Sequence, residues 1–327
     1  MAVYTQLGAD ELSQLVAKYD VGALRSAKGI AEGVSNSNWL IETTGPATSA
    51  GAARYILTMY EQRTQVRDLP FFLGLMDHLA EAGCPVPATI HDRAGQAWRL
   101  LDDKAVALIE FLPGVSVDTP TEGQARAVGE ALARIHLASA AFPLTRTNDL
   151  GPDGWRSLLA QCGEDGLCTI NPGLAQLVGH ELPAVISAWP EGLARSVIHA
   201  DLFPDNVLML GDEVSGLIDF YFACTDLTAY DVAVTHAAWC FDESGRKFRP
   251  ALSAALLAGY EAVRPLSPAE RAAMPVLARG AALRFLATRA YDWLNTPQGA
   301  LVTRKDPMAF ARRLEFYADP ANASLFG

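Results

Sequence analysis

The chain has 327 residues, half of them hydrophobic, and a formal net charge of −11. That length exceeds what one core usually serves and points to two lobes. The acidic balance argues against nucleic acid or an anionic membrane surface as partner, and the ordinary aromatic and charged content argues against wholesale disorder. Five cysteines (Cys84, Cys162, Cys168, Cys224, Cys240) are an odd number without a CxxC pair. They fit reduced thiols of a cytoplasmic protein better than a disulfide framework or a zinc knuckle. "MAVYTQLGADELSQLV" lacks the basic segment and apolar run of a signal peptide. No apolar run reaches the roughly 18 residues that a membrane span needs.

Asp10 is placed to cap a first helix, with Leu12, Leu15, Val16 and Tyr19 on one face. "SNWLIETT" and "ARYILTMYE" read as strands joined by a small-residue loop, "GPATSAGA". "LPFFLGLMDHLAEAG" reads as a helix closed by Gly83. "PVPATIHDRAG", "AWRLLDD" and "AVALIEFLPG" suggest further short strands. Residues 1–112 are therefore expected to form a strand-rich lobe with one main helix, and "IEFLPGVS" suits a connector. From 113 to 327 helices are expected to dominate, apart from strands around 197–222. Thr119-Pro120-Thr121-Glu122 reads as a capping box with proline at the first helical position, opening "EGQARAVGEALARIHLASA". Ser267-Pro268-Ala269-Glu270 opens another helix the same way, and "RGAALRFLATRAYDWLN" is a further helical stretch. The fold class is thus α+β, without repeats or low-complexity tracts.

"VIHADLFPDNVLML" (197–210) sets His199, Asp201, Asp205 and Asn206 between two apolar runs. A hydroxyl attacking a γ-phosphate needs a carboxylate to orient it and accept its proton, and the triphosphate needs Mg²⁺, a hard cation that takes oxygen ligands. The loop spacing lets Asp201 face an acceptor while Asn206 faces the metal. A hairpin turning at Gly211-Asp212 then brings in Asp219 as a charged metal ligand. Taken singly, Asp201, Asp205 and Asn206 are residues that shape turns. The full string with Asp219 at hairpin distance favours phosphoryl transfer. Pro204 and Asp205 alone read as turn formers, and His199 as a scaffold hydrogen-bonding residue. No Walker A string, HExxH or GxSxG occurs, so P-loop, zincin and hydrolase readings lack support.

"HADLFPDN", "SGLIDFYFAC" and "AYDVA" resemble the aminoglycoside-phosphotransferase-like kinases. "KGIAEGVSNSNWLIET", "LPFFLGLMDHLAEAG", "DGW", "VIHADLFPDNV", "GLIDFYFAC", "ARGAALRFL" and "YDWLNTPQGALV" extend the resemblance to bacterial type II homoserine kinases over nearly the whole chain. The resemblance implies a bilobal protein-kinase-like fold using ATP and Mg²⁺. Its N-terminal lobe (1–112), mainly an antiparallel sheet with a helix, binds nucleotide. Its mainly helical C-terminal lobe (113–327) carries the catalytic loop and the acceptor site.

Residue by residue, the resemblance makes Asp201 the catalytic base, Asn206 and Asp219 metal ligands, and His199 and Asp231 supports of the catalytic loop. "KGIAEGVSNSN" takes the place of the phosphate-covering loop, with Gly33, Ser35 and Asn36 as candidate phosphate contacts. Glu110 and Leu112 offer backbone groups to adenine. The acceptor that the resemblance implies is L-homoserine, whose ammonium Asp205 and Asp201 would meet and whose carboxylate would invite Arg284 or Arg289.

Three departures stand out. Thr58 occupies the place of the usual strand lysine, the partner glutamate is missing from "LPFFLGLMDHLAE", and Ala200 stands where regulated kinases carry arginine. Losing both members of an ion pair together is coherent, since either charge alone would be unpaired. Lys28, Arg54 and Arg63 are candidate replacements for the lysine. Without the arginine, a phosphorylation-controlled loop is not expected. A kinase of another small alcohol (aminoglycoside, choline or sugar) and a non-catalytic nucleotide-binding module remain alternatives.

Overall fold

A computed structural model describes residues 7–30, 36–46, 51–61, 65–296 and 304–327. The chain divides into two units, Met1–Pro113 and Gly114–Gly327.

The first unit contains α1 (Ala9–Val16), β1 (Leu24–Ile30), β2 (Ser37–Thr43), β3 (Ala53–Met59), α2 (Leu69–Glu81), β4 (Thr89–Ile90), β5 (Arg99–Leu101) and β6 (Lys104–Glu110). The strands form an antiparallel sheet in the order β1-β2-β3-β6-β4, with β5 also pairing β6. Strict alternation along "SNWLIET" buries every second residue of β2, as a half-covered strand should. Trp39 and Ile41 join Leu57, Met59, Val106 and Leu108 against Leu12, Leu15, Val16 and Tyr19.

One expectation needs correction here. The N-cap of α1 is Gly8, whose N–H donates to Glu11 Oε2 at 2.7 Å. Asp10 sits inside the first turn instead, where its charge complements the helix dipole. Lys28, Gly29 and Ile30 are strand residues, paired with Leu40, Trp39 and Asn38 on one side of the edge strand β1.

In the second unit the elements are α3 (Glu122–Ser139), α4 (Pro152–Ile170), α5 (Leu174–Ser187), β7 (Arg195–Ile198), β8 (Val207–Leu210), β9 (Glu213–Leu217), β10 (Cys224–Leu227), α6 (Thr228–Trp239), α7 (Pro250–Val263), α8 (Pro268–Asn295) and α9 (Met308–Ala318). β7 pairs β10 and β8 pairs β9, both antiparallel. α3 and α7 approach so closely that a Cβ on Gly129 would meet Leu256 O at 2.1 Å, and one on Gly259 would meet Arg126 O at 2.1 Å.

The capping box of α3 is shifted by two residues from its expected place. Thr121 caps, accepting from Gln124 N at 3.1 Å, and Gln124 returns its carbonyl to Thr121 N at 3.0 Å. Pro120 therefore precedes the helix. Ser267 caps α8 as the sequence suggests, but "RGAALRFLATRAYDWLN" is the second half of that same 28-residue helix. Among the described residues, no helix is long and apolar enough to cross a membrane.

Candidate active site

β7 delivers the chain at Ile198 into a loop that runs through His199, Ala200 and Asp201 to a short 3-10 turn, Pro204–Asn206, and then into β8. Gly211 (φ 63°) makes the hairpin turn, and β9 returns to Asp219. The three residues that the sequence marks for chemistry meet there. Asn206 Nδ2 donates to the Asp201 carbonyl at 2.8 Å and to its Oδ2 at 3.3 Å. Ile218, the neighbour of Asp219, donates its N–H to Asn206 O at 3.0 Å. With Nδ2 committed to Asp201, Oδ1 is the Asn206 atom left to offer a cation.

Ala200 and Asp219 both adopt left-handed backbone (φ 64° each). That conformation costs an ordinary residue about 1–2 kcal/mol, less for Asp, so the surroundings must hold it. Around Ala200 the holder is Asp231 on α6. Its fully buried carboxylate accepts from His199 N at 2.7 Å, Ala200 N at 2.8 Å and His136 Nε2 at 3.0 Å. Burial alone would push Asp231 up, but His136, His199 and these amides bring its carboxyl below the usual range. His199 is equally buried. Its Nε2–H donates to Ile218 O at 2.9 Å while Nδ1 accepts from Asp201 N at 3.2 Å, which fits a neutral ring. Burial lowers its pKa accordingly. His199 is thus a strut between the catalytic loop and the strand end before Asp219.

His136 is a residue that local sequence does not mark: a lone histidine on the apolar side of α3. Its Nδ1 meets Tyr260 OH at 2.8 Å, that hydroxyl accepts from Arg264 at 3.2 Å, and Arg264 pairs with Glu270 at 2.6 Å. A polar chain therefore runs from the loop brace through α3 and α7 to the start of α8.

Burial pushes Asp201 up to about 7; Arg284 opposes this, and Asp219 adds to it. Asp219 is pushed up to about 6 by burial and by Asp205. The carboxylate of Asp219 and the free Oδ1 of Asn206 are hard oxygen donors close to Asp201, so the donor set fits Mg²⁺. Arg284, buried to 2% side-chain exposure, lies 3.6 Å from Asp201 Oδ1 and donates to the Ala200 carbonyl. Its Nη1 is committed to that loop, while its buried Nε has no hydrogen-bond partner. Asp205 is exposed and pairs with Lys305 at 3.4 Å. Arg289 lies over Phe310, 4.5 Å from the ring centroid.

In the first unit, Thr58 is buried and donates Oγ1 to Asn38 Oδ1 at 2.8 Å, so a neutral pair fills the place of the expected lysine. The buried face of α2 is apolar from Leu69 to Leu79, consistent with a missing glutamate. Lys28 is exposed on β1, and Arg54 stacks over Phe111 at 4.9 Å. Asn36 is buried and accepts from Glu61 N at 3.4 Å. Gly33, Ser35 and Arg63 lie outside the described residues. Glu110 ends β6, its N–H bonded to Ala88 O at 2.9 Å, and Leu112 follows it as half-buried chain. An ion pair that sequence spacing did not suggest joins Lys104 to Glu61 at 2.6 Å.

Sheet, helical unit and catalytic loop together define a protein-kinase-like phosphotransferase. The model of the phosphotransferase enzyme family matches residues 26–266. Curated homoserine kinases of Methylobacterium radiotolerans and Azorhizobium caulinodans are 50% and 51% identical to this chain over 327 residues, 100% of its length and 99% of theirs. The chain belongs to the phosphotransferase enzyme family and, within it, to the homoserine kinases. Solved structures agree on the fold. An amicoumacin kinase in complex with AMP-PNP and Ca²⁺ matches with a TM-score of 0.68 at 15% identity, over 95% of this chain and 93% of that one. A microcompartment-associated aminopropanol kinase matches with a TM-score of 0.67 at 19% identity, over 97% of both chains.

Proposed function

We propose that this protein transfers the γ-phosphoryl group of ATP to the side-chain hydroxyl of L-homoserine, yielding O-phospho-L-homoserine, a precursor of threonine. The observation that carries the reading is identity near 50% to homoserine kinases along the entire chain. Asp201 orients the hydroxyl and takes its proton as the oxygen attacks in line. Arg284 and Asn206 hold that carboxylate in place, and Asp231 and His199 hold the loop that carries it. Asn206 Oδ1 and Asp219 would hold Mg²⁺. Held there, it would supply positive charge to offset that of the transferring phosphoryl group. The first unit serves the nucleotide: Glu110 and Leu112 present backbone groups to adenine, and Asn36 with the preceding residues serves the phosphates.

Substrate choice is tested by phosphorus NMR of the product with ATP, Mg²⁺ and a panel of L-homoserine, L-serine, choline, a sugar and an aminoglycoside. Homoserine is expected to be the best acceptor. Serine, one methylene shorter, places its hydroxyl short of Asp201 and should fall by about 100-fold, the scale of a 1 Å misplacement. Equal turnover across the panel would remove the homoserine assignment.

The metal role is tested at Asp219. Asparagine tolerates the left-handed backbone there and removes only the charge. Asp219→Asn is expected to raise the Mg²⁺ concentration for half-maximal turnover at least tenfold. An unchanged Mg²⁺ titration would place the cation elsewhere.

A further inference from the structure

Of the four arginines of α8, Arg271 and Arg279 are paired with Glu261 and Glu181, and Arg284 and Arg289 differ in what they already hold. Arg284 donates Nη1 to the Ala200 carbonyl, lies 3.6 Å from Asp201 Oδ1 and packs with its Cζ 4.2 Å from the Phe285 ring centroid, while its buried Nε has no hydrogen-bond partner. Arg289 makes one hydrogen bond, Nη1 to Asp306 O at 3.2 Å, and a guanidinium has five donors. Phe310 lies beneath it, and the same ring carries a second guanidinium, Arg313 of α9, also at 4.5 Å. Arg313 bonds only carbonyls, Ala309 O at 2.7 Å and Asp242 O at 2.9 Å. Among the described residues, neither arginine has a carboxylate within ion-pair distance. Burial and the proximity of the other cation bring Arg289 down to about 10. Asp201, Asp306 and Asp205 act on it only at longer range. A half-buried guanidinium with most of its donors free and no anion paired to it, within electrostatic reach of Asp201, is open to a carboxylate.

We infer that Arg289 receives the carboxylate of the acceptor and so selects a hydroxylated amino acid over the corresponding amino alcohol. The inference rests on the homoserine reading and deepens it. Phe310 fixes the plane of the guanidinium, so the fork is preorganised for two parallel bonds to a carboxylate. Arg313 adds positive potential behind it. The hydroxyl end of the acceptor then lies toward Asp201. Between the ends, the chain length of the acceptor is read.

The test compares kcat/KM for L-homoserine and for 3-aminopropan-1-ol, its decarboxylated analogue, in the wild type, Arg289→Met and Arg289→Lys. The wild type is expected to prefer homoserine. In Arg289→Met the homoserine-to-amino-alcohol ratio should collapse by about 100-fold, mostly through the KM for homoserine. Arg289→Lys, which keeps charge without the fork, should lie between. A ratio that stays at the wild-type value in Arg289→Met overturns the inference. So does an equal loss on both acceptors, which would put Arg289 on the transferring phosphoryl group or in the fold. A wild type that does not prefer homoserine would sink the homoserine reading itself, an outcome distinct from either of these.

Discussion

Asp201→Asn is expected to lower kcat by about 10²–10⁴-fold, the usual range for a lost general base, while nucleotide affinity holds. The amide is nearly isosteric with the carboxylate. Asn206 Nδ2 keeps its 2.8 Å bond to the backbone carbonyl of residue 201, and Arg284 keeps the Ala200 carbonyl. Asp219 and Asn206 remain to serve the cation, so binding should survive. What disappears is the proposed acceptor for the hydroxyl proton. Stability should move the other way. Asp201 is desolvated and close to Asp219, and its carboxyl is already pushed up to about 7. A neutral amide relieves both penalties, so Tm should stay level or rise while turnover collapses, the signature of a site strained for function. Steady-state kinetics, nucleotide titration calorimetry and a thermal melt on the same preparation decide this. A variant that retains more than a tenth of its turnover would remove Asp201 from the role of base.

The grouping of the candidate site was legible because it is local. Asp201, Asn206 and Asp219 come from one loop and one hairpin, and the hairpin register, Val207 opposite Leu217, follows from apolar runs of matched length. Hydrophobic alternation similarly exposes β2, and helical spacing exposes α2. What escaped depends on distant pairing. β1 has six of its seven residues paired to β2, yet only its two ends are even half-buried, so no alternation marks it. His136 gains meaning only when α3 meets α6 and α7. Arg284 and Arg289 differ by five positions on one helix, and nothing in their spacing tells which faces the loop. The two-residue shift of the α3 cap has a similar origin. Both Thr119 and Thr121 precede suitable partners, but Thr121 is also fixed by donating Oγ1 to Asp212 Oδ1 at 2.9 Å in the hairpin turn.

Asp231→Ala should damage fold and activity together, more than its distance from the acceptor suggests. Three buried donors lose their acceptor at once: His199 N, Ala200 N and His136 Nε2. Each orphaned buried donor costs about 1–3 kcal/mol, and the three are coupled, so about 3–5 kcal/mol is the expected loss. For a unit of this size that lowers Tm by roughly 6–20 °C. Asparagine should not rescue, because its Nδ2 would face a backbone N–H or the His136 Nε2–H where an acceptor is required. The pH dependence has a definite sign. The folded carboxyl lies below its unfolded range, so its stabilisation is present above about pH 4 and is lost as pH falls through the folded value. The Ala variant should therefore lose less stability than the wild type on acidification in that window. Activity should drop at least 100-fold, since Ala200 relaxing from its left-handed conformation displaces Asp201. Melting curves at neutral and acidic pH, set beside kcat, test the account. A variant melting within 2 °C of the wild type at neutral pH, or one melting far lower but turning over normally, would show that Asp231 does not hold the catalytic loop.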